Sequence, residues 1–184
     1  EMSGDEPYML ATNLPDVVVL VDKDRVKSGR YAVRHFGCDT LLLDDGFQYQ
    51  KLLHRLDLVL VDNTNPFGNG NVLPRGFLRE PARNIARAKF ICITKARHGD
   101  TDELRRRIRE LNPGAGIMEC NHEPCALVGA FSREHHPLEQ LRGMKVVALS
   151  GIASPQSFEK SLEELGATLL KRRRYADHHR FSQQ

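Results

Sequence analysis

Leu58-Val59-Leu60-Val61-Asp62 decides the reading of the fold: an apolar run without alternation, closed by a carboxylate. Apolar runs closed by a polar residue recur at Val17 to Val21 before Asp22, Leu41 to Leu43 before Asp44 and Asp45, Phe90 to Ile93 before Thr94, and Val146 to Leu149 before Ser150. Short runs rich in Val, Ile and Leu are expected as strands buried on both faces. Helical patterns lie between several of them. Arg25 to Phe36 is one; Thr101 to Leu111 sets Leu104, Ile108 and Leu111 on one face among four arginines; Ser154 to Leu165 runs up to Gly166 as its stop. Strand and helix in alternation predict an α/β protein with a mostly parallel sheet flanked by helices.

Composition narrows the function classes. The 184 residues are 40% hydrophobic and 28% charged, which excludes a disordered tail and a membrane-spanning bundle. Val17 to Val21 has about a quarter of the roughly 20 residues that a spanning helix needs. Lys and Arg outnumber Asp and Glu by 27 to 24, and a net charge of +3 is too small to argue for nucleic acid unless it is clustered. Four scattered cysteines point to a reducing compartment rather than a disulfide framework. No basic-then-apolar leader opens the chain at Glu1, which reads as a piece whose beginning is missing.

The stretch Asn63 to Pro81 holds Pro66, Gly68, Gly70, Pro74, Gly76 and Pro81 and reads as a long functional loop. Gly114 to Phe131 reads as a further pair of strands, followed by a polar connection through His135, His136 and Pro137. The expected division is therefore a main body over 1–131 and a smaller C-terminal subdomain over 132–184.

Ligands of parallel α/β sheets bind beyond the carboxyl ends of the strands. Those positions carry Asp22, Asp44, Asp45, Asp62, Thr94 and Ser150, each of which could also simply start a loop or cap a helix. The Asp44-Asp45 pair is harder to read that way, since adjacent carboxylates repel unless a cation sits beside them. Leu41 to Gln48 has the form of an apolar strand ending in acidic residues, the arrangement that holds Mg²⁺ in P-loop nucleotide enzymes. Its usual partner, a glycine-rich loop ending in Gly-Lys-Ser or Gly-Lys-Thr, is nowhere in these residues. Thr94-Lys95 lacks the aspartate of a guanine-reading motif, and Cys120, His122 and Cys125 lack a fourth zinc ligand.

Taken in order, Gly4-Asp5-Glu6-Pro7, Asp24-Arg25, Asp44-Asp45-Gly46-Phe47-Gln48, Gly68-Asn69-Gly70 with Leu73-Pro74, Leu78-Arg79-Glu80-Pro81, Ser150-Gly151-Ile152-Ala153 with Pro155, and Asp177-His178-His179 span nearly the whole chain. They resemble the motifs of the tetraacyldisaccharide 4'-kinase family. The resemblance implies a P-loop NTPase-like fold that moves the γ-phosphate of ATP to the 4'-hydroxyl of a tetraacylated glucosamine disaccharide, the lipid A precursor. It implies work at the cytoplasmic face of the bacterial inner membrane, against the membrane surface and without nucleic acid. This chain would then start after the phosphate-binding loop, stop before the C-terminal end, and have negligible kinase activity alone.

By the same resemblance Asp5 is the base, with His178 as its partner, and Asp44 and Asp45 hold Mg²⁺, with Glu6 as a third contributor. Arg25, Gln48 and Arg79 are the candidate phosphate or substrate contacts, since a guanidinium forks onto two oxygens. Without the resemblance, Asp5 reads as a helix N-cap, His178 and His179 as a solvated loop, and Gln48 as a turn cap. Two departures stand out: Tyr49 where the family usually has His, and Arg75-Gly76-Phe77 where Ala-Gly-Pro is usual. The basic stretches Arg105 to Arg109 and Lys171 to Arg174 fit either lipid headgroups or solvent. Two other functions suit parts of the pattern. One is a metal-dependent phosphoesterase of the DHH kind, using Asp22, Asp24, Asp44 and Asp177-His178-His179; the other is a non-catalytic piece keeping part of the lipid site.

Overall fold

The structure, a computed structural model, describes residues 4–177 and 179, with the side chains of Asp5 and His98 outside the description. Two compact units follow one another, Glu1–Asn121 and His122–Gln184, a division earlier than the one after 131 expected from the sequence.

The first unit holds a parallel sheet of β1 (Leu58–Asp62), β2 (Phe90–Thr94) and β3 (Gly116–Cys120), in that spatial order. Leu58 pairs with Phe90 and Asp62 with Thr94, so the polar closing residues of β1 and β2 end side by side. β2 is the central strand, and its Ile91 and Ile93 are fully buried. They pack with Val61, Ile85, Ala88, Ala115, Leu104 and Ile108. The last two lie one turn apart on α3 (Asp102–Leu111), the spacing that puts both on its buried face. Gly116 opens β3 because a Cβ there would meet the Phe90 ring at 2.6 Å. The Cys92 and Cys120 sulfurs lie 3.2 Å apart across β2 and β3, and burial, then Cys120, pushes the Cys92 thiol up to about 11. At neutral pH that thiol is protonated and unreactive.

One buried amide fastens α3 to the 3₁₀ turn Ala82–Arg87 and its cap Ala88. Asn112 caps α3 and donates from Nδ2 to the carbonyls of Ile85 (2.9 Å) and Ala88 (2.8 Å). Asn112→Ala would leave two buried carbonyls without that donor, so the expected cost is about 2 kcal/mol, read as a lower urea midpoint at unchanged slope. A loss under about 0.5 kcal/mol would mean that the carbonyls find other partners.

Two expectations fail in this unit. Val17 to Val21 and Leu41 to Leu43 are irregular rather than strands, and Leu42 is 93% exposed. A parallel strand needs neighbours for its N–H and C=O groups, and among the described residues neither run pairs into a sheet. The helices follow the sequence more closely. α1 (Asp5–Asn13) begins one residue past its N-cap, Gly4, so Asp5 is the first helical residue and not the cap. α2 (Arg25–Phe36) runs from the Asp24 cap to Gly37 in the left-handed region.

In the second unit β4 (Leu127–Val128) pairs antiparallel with β5 (His135–His136). β6 (Lys145–Ser150), α4 (Pro155–Glu164) and β7 (Thr168–Arg174) form a parallel crossover. The Glu159 carboxylate on α4 accepts from Arg174 Nε and NH2, both at 2.7 Å, and Glu163 accepts from Arg172 at 2.7 Å. Half of the basic run on β7 is therefore spent on its own helix. On α3, Arg105 likewise reaches Glu119 at 2.7 Å, Arg107 reaches Glu110 at 2.9 Å, and Arg109 donates to the carbonyls of Pro113 and Ala115. No helix among the described residues is long and apolar enough to cross a membrane.

Candidate active site

The site is built within the first unit from three pieces: the start of α2, the turn at residues 44–50, and the end of the long loop at residues 78–87. At the first piece, Asp24 accepts from the amides of Val26 (3.0 Å) and Lys27 (3.2 Å), an ordinary N-cap. Tyr49 also donates its hydroxyl to the same oxygen at 3.2 Å. The Lys27 amide foremost, with Tyr49 and Val26 added, holds the Asp24 carboxyl below its ordinary value. Arg25 donates to the carbonyls of Asp22 and Lys23, with its guanidinium 5.7 Å from the Tyr49 ring centre. Tyr49 thus ties the turn to the helix start. Asp22 is engaged as well, accepting from the Asp24 amide and pairing with Lys27 at 2.9 Å. Of the carboxylates in the phosphoesterase reading, Asp24 is thus the cap of α2 and Asp22 is engaged by the Asp24 amide and Lys27.

The second and third pieces are joined by two consecutive side chains of Leu78-Arg79-Glu80-Pro81. Arg79 donates from NH1 and NH2 to Asp45 Oδ2, both at 3.0 Å. Asp45 itself sits at φ 50°, a left-handed conformation that aspartate tolerates better than most residues. The pair is more than half exposed on both sides, so it contributes at most about 1 kcal/mol and yields readily to a stronger cation.

Glu80 is the opposite case, with 17% of its side chain exposed. It accepts from Gln48 Nε2 (2.8 Å), Asn84 Nδ2 (2.6 Å), and Arg87 NH1 and NH2 (2.9 Å each). Arg87 reaches on to the Phe47 carbonyl at 3.2 Å, its guanidinium 4.3 Å from the Phe47 ring centre. Arg87 first, with Asn84 and Gln48 added, holds the Glu80 carboxyl down at about 2. Asp62 and Lys95 form a further charged pair at the ends of β1 and β2, 2.5 Å apart. Burial works to raise the Asp62 carboxyl, but Lys95 and Thr64 outweigh it and leave it lowered.

The structure therefore brings Asp45, Gln48 and Arg79 together, sets Asp44 beside them in the chain, and links Arg25 to them through Tyr49. Glu6 is exposed on α1, and among the described residues no three His, Cys, Asp or Glu side chains gather as a metal site. Asp5 has only its backbone described, and His178 lies outside the described residues. Sequence reasoning gave no role to Glu80, Asn84 or Arg87. Glu80 stood inside a quoted motif, but a contact spanning from residue 80 to residue 48 leaves no periodic signal in the sequence.

A three-stranded parallel sheet closed by Asp62 on β1 and Thr94 on β2, with helices between the strands and a turn whose Asp45 is held by Arg79, defines an α/β protein with a charged site. Residues 1–184 match the family described as Tetraacyldisaccharide-1-P 4'-kinase, and the chain belongs to that family. A Tetraacyldisaccharide 4'-kinase of Anaeromyxobacter sp. (strain K) is 44% identical over 98% of this chain and 48% of its own length. The one of Syntrophus aciditrophicus (strain SB) is 37% identical over 97% and 50%. The crystal structure of "apo" form LpxK from Aquifex aeolicus in complex with ATP is 30% identical, with a TM-score of 0.71 over 98% of this chain and 55% of that one. The chain thus spans about half the length of the curated relatives it matches.

Proposed function

We propose that this chain is part of an enzyme that transfers the γ-phosphate of ATP to the 4'-hydroxyl of a tetraacylated glucosamine disaccharide in lipid A biosynthesis. The observation that carries this reading is the Asp44-Asp45 turn, gripped by Arg79 and Glu80 and tied through Tyr49 to the helix start bearing Arg25. The residues fit Mg²⁺: two adjacent, exposed carboxylates are the set that this ion takes when water and phosphate complete its shell. Asp45 already draws a cation, Arg79, in this structure. When bound, Mg²⁺ would neutralise charge on the phosphate oxygens.

The remaining roles belong to the chain itself. Asp5, paired with His178, takes the proton of the sugar hydroxyl, which is otherwise a poor nucleophile. Arg25, Gln48 and Arg79 orient phosphate or substrate oxygens, and the exposed pair with Asp45 leaves the Arg79 guanidinium accessible for that task. Four acyl chains keep the acceptor in a bilayer, which places the enzyme at the cytoplasmic face of the inner membrane.

The test uses Mn²⁺ as a paramagnetic stand-in, titrated into the full-length enzyme by electron paramagnetic resonance. Asp44→Asn and Asp45→Asn are each expected to weaken binding at least 10-fold, since Mg²⁺-type ions depend on one or two carboxylates. A smaller loss in Glu6→Gln would make Glu6 the third donor. Unchanged affinity in both aspartate variants would place the metal elsewhere, and no phosphate transfer from ATP to the lipid disaccharide would sink the functional reading.

A further inference from the structure

Arg79 and Glu80 are adjacent in sequence but differ in kind: the Arg79 pair is exposed, whereas Glu80 is mostly buried under four donated hydrogen bonds. Those bonds converge on the segment that follows the aspartates. Gln48 is held by its side chain, and Phe47 by its carbonyl and ring through Arg87. Asn84 braces Glu80 from the same 3₁₀ turn, Ala82–Arg87, that carries Arg87. Gly46 leaves the turn no slack, because a Cβ there would lie 2.6 Å from that of Leu43.

We propose that Glu80 is a positioning residue: with Arg87 it clamps Phe47 and Gln48, and so fixes the direction in which Asp44 and Asp45 present their oxygens. Glu80 touches no reacting atom in this role and acts through the turn alone. The claim about metal rests on the functional reading above; the clamp itself rests only on the hydrogen bonds. A carboxylate of this length is required because it must span Gln48 on one oxygen and Asn84 on the other while receiving both arms of the Arg87 fork. Lysine cannot replace Arg87, since a single ammonium lacks the fixed geometry that serves Glu80 and the Phe47 carbonyl at once.

The experiment compares full-length wild type, Glu80→Gln, Arg87→Lys and the double variant by amide hydrogen exchange and Mn²⁺ titration, with Asp44→Asn as reference. Exchange at residues 44–50 is expected to rise at least 10-fold in each single variant, while β1, β2 and β3 stay protected. Mn²⁺ affinity is expected to fall about 10-fold in each, and hardly further in the double variant, because both substitutions open one clamp. Exchange that rises equally throughout the unit, or not at all at 44–50, overturns the proposal and leaves Glu80 a structural residue. So does unchanged Mn²⁺ affinity in Glu80→Gln when Asp44→Asn has lost it. If Asp44→Asn keeps its Mn²⁺, the metal reading fails instead, and the exchange data alone decide the clamp.

Discussion

Asp5→Asn in the full-length enzyme is expected to lower kcat by about 10²- to 10⁴-fold, the range that a positioned general base contributes. The amide has nearly the shape of the carboxylate but cannot take the proton of the 4'-hydroxyl. His178→Ala is expected to fall within the same range. The double variant should lose little beyond either single one, because two groups serving one proton transfer fail together. Losses that multiply would separate the two roles and make His178 an independent contributor. Steady-state kcat at saturating ATP and lipid decides it, since a change confined to KM would mark Asp5 as a binding residue instead.

Ile93→Ala should have the largest effect on stability. Ile93 lies on β2, the central strand, fully buried in the cluster that joins the sheet to α3. Truncating a buried isoleucine removes its transfer free energy and leaves a cavity, about 2 to 5 kcal/mol together, with the upper half expected where both neighbouring strands hold the backbone in place. Against a typical total of about 5 to 15 kcal/mol this moves the urea midpoint substantially. A loss below about 1 kcal/mol would show that the core collapses into the space, and that the sheet is less rigid than its packing indicates.

The sequence was most legible where a pattern is local. Arg25 to Phe36 is a helix at the bounds expected, because the Asp24 cap and Gly37 terminate it chemically at both ends. Leu58, Phe90 and Val146 lie in strands as their apolar runs indicated. Val17 to Val21 and Leu41 to Leu43 have the same composition and are not strands, since a run of Val and Leu states a preference for burial and says nothing of whether a partner strand lies alongside. The candidate site divides in a similar way. Asp44, Asp45 and Arg79 could be picked out because charge at the end of an apolar run, or in a loop rich in Gly and Pro, is conspicuous. The hub at Glu80 could not, because its meaning lies in the return of a distant chain segment, and Tyr49 looked only like a departure until its hydroxyl reached Asp24.

The carbonyls that Asn112 holds belong to Ile85 and Ala88, on either side of Arg87. The segment gripped by that core amide is the one whose guanidinium grips Phe47. The interior and the turn at residues 44–50 are thus coupled by a short linkage of rigid parts. On the proposed clamp, a substitution deep in the first unit would loosen the turn that bears Asp44 and Asp45 while leaving every residue of that turn in place. Heat inactivation of the full-length enzyme would then begin as a loss of alignment at the turn, ahead of the loss of the sheet.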